Sequence, residues 1–298
     1  MRSNSPSKIR GRQSAGCQDQ EPKRDPGRGH GKLIVIGLGP GHPDYLAPAA
    51  KAALLKAQVI VGYKTYVDLI GPKILEGKEL ISTGMMDEIR RCHIAIKKAL
   101  EGMDTAVVSS GDAGVYGMAG LVLELLAGQG LIESVIVEII PGIPALSAAA
   151  SLLGAPLMHD FAVISLSDLL TPWDVIKYRV EAAAKADFVL VIYNPKSKRR
   201  DWQLEDVRNL ILKFRDKYTP VGIVRNATRR GESVEITTLS RMDESQVDML
   251  SILFVGNSKT KVFGEKMITP RGYLERYKDR EKSNQPPALP EVNFTPQK

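Results

Sequence analysis

The chain has 298 residues, enough to bury the core of one large domain or two modest ones. Its formal charge of +7 suggests a nucleic-acid partner, but seven Lys/Arg against three Asp/Glu fall in residues 1–30, and seven against five fall in residues 264–298. The body between them is close to neutral and carries no long basic stripe, and only 6% of the chain is aromatic, so nucleic acid is not expected as a partner. Two cysteines, Cys17 and Cys92, cannot build a disulfide framework, and the histidines at 30, 42, 93 and 159 show no metal-ligand spacing, so no metal site is expected.

Residues 1–31 lack large apolar side chains and any apolar run. They are expected to form a loose basic tail, neither a secretory signal nor a membrane anchor. No later run is long and uncharged enough to cross a membrane, so a cytoplasmic protein with no membrane partner is the expectation. Order is predicted to begin with Leu33–Gly37 (LIVIG), a β-branched run with the character of a buried parallel strand. A glycine loop, Gly37-Leu38-Gly39-Pro40-Gly41, leads to a helix over 46–57. Strands are predicted at 58–62, 105–109 and 134–140, and helices at 87–100 and 116–127. This strand–loop–helix alternation predicts an α/β domain over 32–143 with a mainly parallel sheet.

An alanine-rich helix at 145–153 opens a second, mixed α+β domain over 144–263. Strands are predicted at 160–166, 187–193, 220–224, 232–239 and 249–255, with helices at 173–186 and 203–217. The short polar segment 240–248 predicts an antiparallel pairing of the last two strands. Residues 264–298 are polar, with Gln285-Pro286-Pro287, and read as a largely loose extension.

Three glycine-containing loops end strands, where ligands of open α/β sheets bind. The first begins like a dinucleotide fingerprint. However, Pro40 removes an amide, Asp44 would repel a pyrophosphate, and no acidic residue follows about twenty positions on. A nicotinamide site, a structural turn and a loop facing a ligand other than phosphate all remain open. In the second, Gly111-Asp112-Ala113-Gly114-Val115, Asp112 fits either a helix cap or a carboxylate beside a cationic cofactor. The third is Pro141-Gly142-Ile143-Pro144-Ala145. His159, beside Asp160, is either a proton donor or a structural histidine, and no nucleophile elbow accompanies it. Basic residues after two further strands, including Arg199, Arg200, Arg225 and Arg229, could gather several carboxylates.

The order and spacing of Val35–Gly41, Ser110-Gly111-Asp112 and Pro141-Gly142-Ile143 resemble the tetrapyrrole (corrin/porphyrin) methylase family across about residues 32–260. Most members have proline after the loop aspartate, where this chain has Ala113-Gly114. Gly111–Ala119, His159–Trp173 and Tyr193-Asn194-Pro195 resemble the branch that methylates ring carbon 17 and contracts the macrocycle. The resemblance implies a fold of two α/β domains with an interdomain cleft, S-adenosyl-L-methionine as methyl donor, an anionic tetrapyrrole as substrate, and a homodimer. By motif match it implies cofactor contacts from Gly111, Asp112, Ala113, Val115, Pro141, Gly142, Ile143, Ala145, Tyr193, Ala227 and Thr228. Gly39, Pro40, Gly41 and the four arginines would face the macrocycle, and His159 or Asp44 would manage protons during contraction. The expected substrate is precorrin-3B, with cobalt-factor III or another corrin position as the alternative.

Overall fold

The computed structural model describes residues 29–197, 200–274 and 276–277. Two five-stranded sheets, each covered on both faces, form two domains. The first contains β1 (Leu33–Gly37), α1 (Pro48–Lys56), β2 (Val59–Tyr63), α2 (Lys64–Val67), α3 (Pro72–Leu75), β3 (Glu79–Thr83), α4 (Glu88–Leu100), β4 (Thr105–Ser109), α5 (Ala119–Gly128) and β5 (Val137–Ile140). All its strand pairs are parallel, in the order β3-β2-β4-β1-β5.

The parallel arrangement explains the apolar runs. Val35, Val61 and Val107 pack against α4 and α5, while Ile34, Ile36 and Ile60 pack with α1 on the other face. Strands buried on both faces need apolar residues at successive positions. β3 was not anticipated. It is an edge strand with mostly exposed or half-exposed positions, so its sequence carries no such run.

The second domain comprises α6 (Ala145–Leu153), β6 (Gly154–Ala155), β7 (Phe161–Ser165), α7 (Trp173–Lys185), β8 (Val189–Tyr193), α8 (Gln203–Ile211), β9 (Pro220–Arg225), β10 (Ser233–Thr238), β11 (Ser251–Val255), β12 (Lys261–Phe263) and β13 (Lys266–Ile268). Helices α7 and α8 cover one face of its main sheet, and α6 covers the other through Ala149, Ala150 and Leu153. Gly222 makes room for this: a Cβ there would lie 2.5 Å from a Leu153 methyl.

Two expectations are corrected. The last two long strands, β10 and β11, do not pair with each other. Both run antiparallel to β9, which lies between them, and β11 also pairs with β8. The 239–250 segment thus carries the chain past β9 instead of closing a hairpin. Secondly, the start of the extension, residues 266–269, is packed. β13 pairs with β12 and runs parallel to β6, with Met267 and Thr269 fully buried. Residues 1–28 of the predicted tail 1–31 and residues 278–298 lie outside the described residues. Among the described residues no helix is long and apolar enough to cross a membrane.

Candidate functional site at the domain junction

β1 and β4 are neighbours, but the helices that follow them lie on opposite faces of the sheet: α1 on one, α5 on the other. Their carboxyl ends therefore diverge around a crevice, the topological switch point where open α/β sheets receive ligands. Residues of the two loops clasp each other there. Gly39 N–H donates to the Gly111 carbonyl at 2.9 Å, and Gly111 N–H donates to the Gly39 carbonyl at 2.7 Å. The β5 loop is pressed against this pair. A Cβ on Gly142 would stand 2.2 Å from the Gly111 oxygen, so only glycine fits.

These contacts decide between the readings left open for the first loop. Leu38 and Gly39 N–H groups bond to Ser109 and Gly111 carbonyls, Pro40 has no N–H, and His42 N–H donates to Thr228 Oγ1 at 3.3 Å. Of the amides from Leu38 to His42, three are already occupied and Pro40 has none, so geometry as well as charge counts against the dinucleotide reading.

Asp112 is neither a helix cap nor a lone counter-charge. Its Oδ1 accepts N–H groups from Gly114 at 2.7 Å and Val115 at 3.1 Å, and its Oδ2 accepts Gly142 N–H at 3.0 Å. One carboxylate thus folds its own loop and fastens it to the loop after β5. Charge-assisted bonds of this kind are about twice as strong as neutral ones. Ala113 is fully buried among α4 and α5 residues, so its side chain serves the core while its neighbours Gly114, Val115 and Tyr116 remain exposed.

The second domain presents its own strand ends to the same junction. β7, β8 and β9 share one direction, since β11 is antiparallel to both β8 and β9 and β7 is parallel to β8. Tyr193, ending β8, accepts the Leu146 N–H from the first turn of α6 at 2.9 Å. Burial pushes its phenol up to about 12, and the Leu146 bond works against that rise. Its ring lies 5.2 Å from that of Tyr116, whose hydroxyl donates to the Val163 carbonyl at 3.3 Å and so joins the β4 loop to β7.

Six non-glycine residues among those described have positive φ, and four sit at this junction: Tyr116 (52°), Asn194 (49°), Asn226 (52°) and Thr228 (64°). For a β-branched residue such as Thr228 this is an outlier costing roughly 1–3 kcal/mol. Glu232 holds it in place by accepting Thr228 N–H at 2.6 Å.

The arginines separate. Arg229 reaches across from the β9–β10 turn: its Nε donates to the Pro40 carbonyl and its Nη2 to Ser110 Oγ. Arg225 is paired with Asp248 at 2.8 Å and shares a face of β9 with Val221 and Ile223, which pack toward α7 and α8, away from α6. Arg200 is buried beneath the segment after β8, where its Nη2 donates to the Asn194 carbonyl at 2.9 Å. Burial holds its guanidinium below the usual range, and the nearby Asp168 opposes that shift. Neither Arg225 nor Arg200 is presented to the cleft, which corrects the expectation that both face the macrocycle. Arg199 lies outside the described residues.

The proton-handling candidates also separate. His159 precedes β7, whose carboxyl end is at the junction, so at about 3.3 Å per residue it lies ~20 Å away. It faces solvent, and its Nδ1 accepts the Asp160 N–H at 2.8 Å. This placement corrects the catalytic reading of His159. Asp44 sits on the cleft rim in the 3-10 turn Pro43–Tyr45, its carboxylate 3.5 Å from His42 Nδ1. His42, Ser110, Tyr116 and Leu146 were not singled out from sequence. Ser110 and Tyr116 lay inside a recognised motif, but nothing local identifies His42 or Leu146 as contacts of distant strands.

The surfaces left open by Val115, Tyr116, Ile143, Ala227 and Thr228 are apolar, aromatic or hydroxylic, and no lysine or arginine occurs in Gly111–Tyr116 or Pro141–Ala145. Such a lining fits a neutral base and a cationic sulfonium and is ill suited to phosphate. S-adenosylmethionine matches it, with Val115, Ile143, Ala227 and Thr228 as the side chains that would hold it.

Comparison with known proteins gives a consistent picture. The chain is 50% identical over 249 residues to the "Cobalt-factor III methyltransferase" of Priestia megaterium, covering 83% of this chain but 46% of that protein, so it spans about half of that relative. It is 52% identical over 242 residues to the "Probable cobalt-factor III C(17)-methyltransferase" of Salmonella typhimurium, covering 81% of this chain and 99% of that one. Among solved structures, the methyltransferase CobJ superposes with a TM-score of 0.77 at 37% identity, covering 80% of this chain and 100% of CobJ. Residues 32–243 match the family model "Tetrapyrrole (Corrin/Porphyrin) Methylases". With that match spanning the first sheet, all of the second except β11, and the junction loops, the chain belongs to the tetrapyrrole methylases.

Proposed function

We propose that this protein transfers a methyl group from S-adenosylmethionine to carbon 17 of cobalt-factor III and contracts the macrocycle, a step of cobalamin biosynthesis. The observation that carries the reading is the junction itself: a loop platform locked by Asp112 and free of lysine and arginine on one side, and a single bridging arginine on the other. The choice of the cobalt-containing substrate over precorrin-3B is supported by the names of the Priestia and Salmonella relatives, which replace the metal-free substrate expected from sequence.

When bound, S-adenosylmethionine supplies an activated methyl group on sulfur. The chain's own contribution is alignment: donor and acceptor lose their freedom on binding, so that cost is no longer part of the barrier to transfer. Asp112 and the clasped glycines keep three loops from shifting relative to one another. Tyr193 sets the height of α6 against β8. Val115 and Ile143 exclude water from the donor's side, while Arg229 lies on the side open to a carboxylate-fringed ring. In this reading Asp44, exposed beside His42, holds or moves a proton during contraction.

The working unit in this proposal is a homodimer. The loop after β7 carries Leu169 and Leu170, 72% and 97% exposed, an apolar pair suited to burial against a second copy. The activity test uses labelled S-adenosylmethionine with cobalt-factor III and precorrin-3B in parallel. A methylated, ring-contracted product from the cobalt substrate is expected. Methylation of precorrin-3B alone would overturn the substrate assignment, and no methyl transfer to either would overturn the function.

A further inference from the structure

Arg208, Arg215 and Arg225 of the second domain each pair with a carboxylate. Among the described residues Arg229 has none. Its two bonded nitrogens donate to neutral acceptors, the Pro40 carbonyl and the Ser110 hydroxyl, which belong to the β1 and β4 loops on either side of the switch-point crevice. Burial holds the guanidinium below its usual range, with only the half-buried Tyr66 phenol acting in the other direction.

The chain is shaped around this side chain. A Cβ on Gly41 would fall 2.5 Å from Arg229 Cγ and Nε, so the loop is kept bare where the arginine crosses it. Its neighbour Thr228 is held at φ 64° by the Glu232 carboxylate below and carries the His42 N–H on its hydroxyl above. A strained turn, a bare glycine and two acceptors from the opposite domain all serve to place one unpaired cation in the crevice.

We propose that Arg229 is an exchangeable clasp: without substrate it ties the two domains through Pro40 and Ser110, and on substrate entry it gives up at least one of these neutral acceptors to a ring carboxylate. A carboxylate is the stronger acceptor and compensates the buried charge, which neither a carbonyl nor a hydroxyl can do. The clasp thereby couples recognition of an acidic side group to the position of the second domain. This inference rests on the tetrapyrrole reading above.

The test measures dissociation constants of wild type, Arg229→Gln and Arg229→Lys for cobalt-factor III, for the same compound with its side-chain carboxylates methyl-esterified, and for S-adenosylhomocysteine. Arg229→Gln is expected to weaken the free acid by about tenfold or more while moving the ester and S-adenosylhomocysteine by less than about twofold. Arg229→Lys, which keeps the charge without the forked geometry, should fall between. Equal weakening of acid and ester would show that the residue merely holds the domains and would overturn the exchange, as would an unchanged affinity for the acid. If wild type binds S-adenosylhomocysteine but not cobalt-factor III, the functional reading fails and this inference with it.

Discussion

The Tyr193 hydroxyl accepts the Leu146 N–H at 2.9 Å, so the end of β8 caps the first turn of the helix packed on its own sheet. Tyr193→Phe leaves that amide without its partner and should cost about 1 kcal/mol, read as a lower Tm. The pH dependence has a defined sign. An unfolded tyrosine releases its proton near 10, while the folded one is pushed up to about 12. Below pH 10 both states keep the proton. Between 10 and about 12 the unfolded chain binds fewer protons than the folded one, so stability falls as pH rises. Tyr66 and Tyr116 are raised in the same direction and contribute to the same loss. Tyr193→Phe should lose less stability across this window than wild type, measured by urea unfolding at pH 9 and pH 11. An equal loss in both proteins would refute the assignment.

Asp112 should behave as a fastener whose removal is felt in two places. In Asp112→Asn one oxygen becomes an amide that faces a donor, so at least one of the Gly114, Val115 and Gly142 N–H groups loses its acceptor. The expected penalty is about 1–3 kcal/mol in stability. S-adenosylhomocysteine affinity should fall with it, because the β4 and β5 loops are no longer joined. Calorimetric titration that found the affinity unchanged would separate this residue from the binding platform.

Glycine substitutions offer a matched contrast. Gly142→Ala drives a methyl to within 2.2 Å of a backbone oxygen that cannot move aside, while Gly120, in α5, has no heavy atom within 4 Å of an added Cβ. Gly142→Ala is expected to lose about 3 kcal/mol or fail to accumulate as folded protein. Gly120→Ala should be neutral or stabilising by up to about 1 kcal/mol. Thermal melts of the two variants side by side check both.

His159→Ala should leave methyl transfer within about twofold of wild type, since the imidazole lies at the far end of β7 from the junction. A loss of ring contraction with methylation intact would restore the proton-handling role that the fold denies it.

Leu170→Asp places a charge on the most exposed apolar side chain of the loop after β7. Light scattering should then report monomers at concentrations where wild type is dimeric. A monomeric wild type, or a variant that remains dimeric, would rule out this contact.

The sequence made the first domain readable because burial on both faces leaves a local signature: β1, β2 and β4 are largely apolar runs, and β1 and β4 end in loops rich in glycine. β3 left none, since an edge strand with exposed positions needs no apolar run. The order of strands in the second sheet was illegible for another reason. Insertion of β11 between β8 and β9 depends on a crossing by an irregular polar segment, and polar segments do not encode direction. At the site, the loops could be read from their glycines, yet the partners of the charged groups could not. Arg225 and Arg229 lie four residues apart near one strand end, and only the fold shows that one meets Asp248 on the face covered by α7 and α8 while the other meets Pro40 in the crevice. Likewise, an aspartate beside glycines suggested a ligand contact, whereas its oxygens are filled by three peptide amides from two loops.

The short strand β13 has a practical bearing on where the protein can be cut. Its parallel pairing with Gly154–Ala155 and the Thr269 N–H bond to the Ala155 carbonyl at 3.2 Å stitch residues 266–269 to the end of α6, and the Thr260–Thr269 hydroxyl contact at 2.8 Å ties them to the segment after β11. A fragment ending at the compositional border near 264 would uncover Met267's seat beside α6 and loosen the helix whose first turn borders the domain junction. Shortened versions intended for crystallisation should therefore retain the chain through at least residue 270.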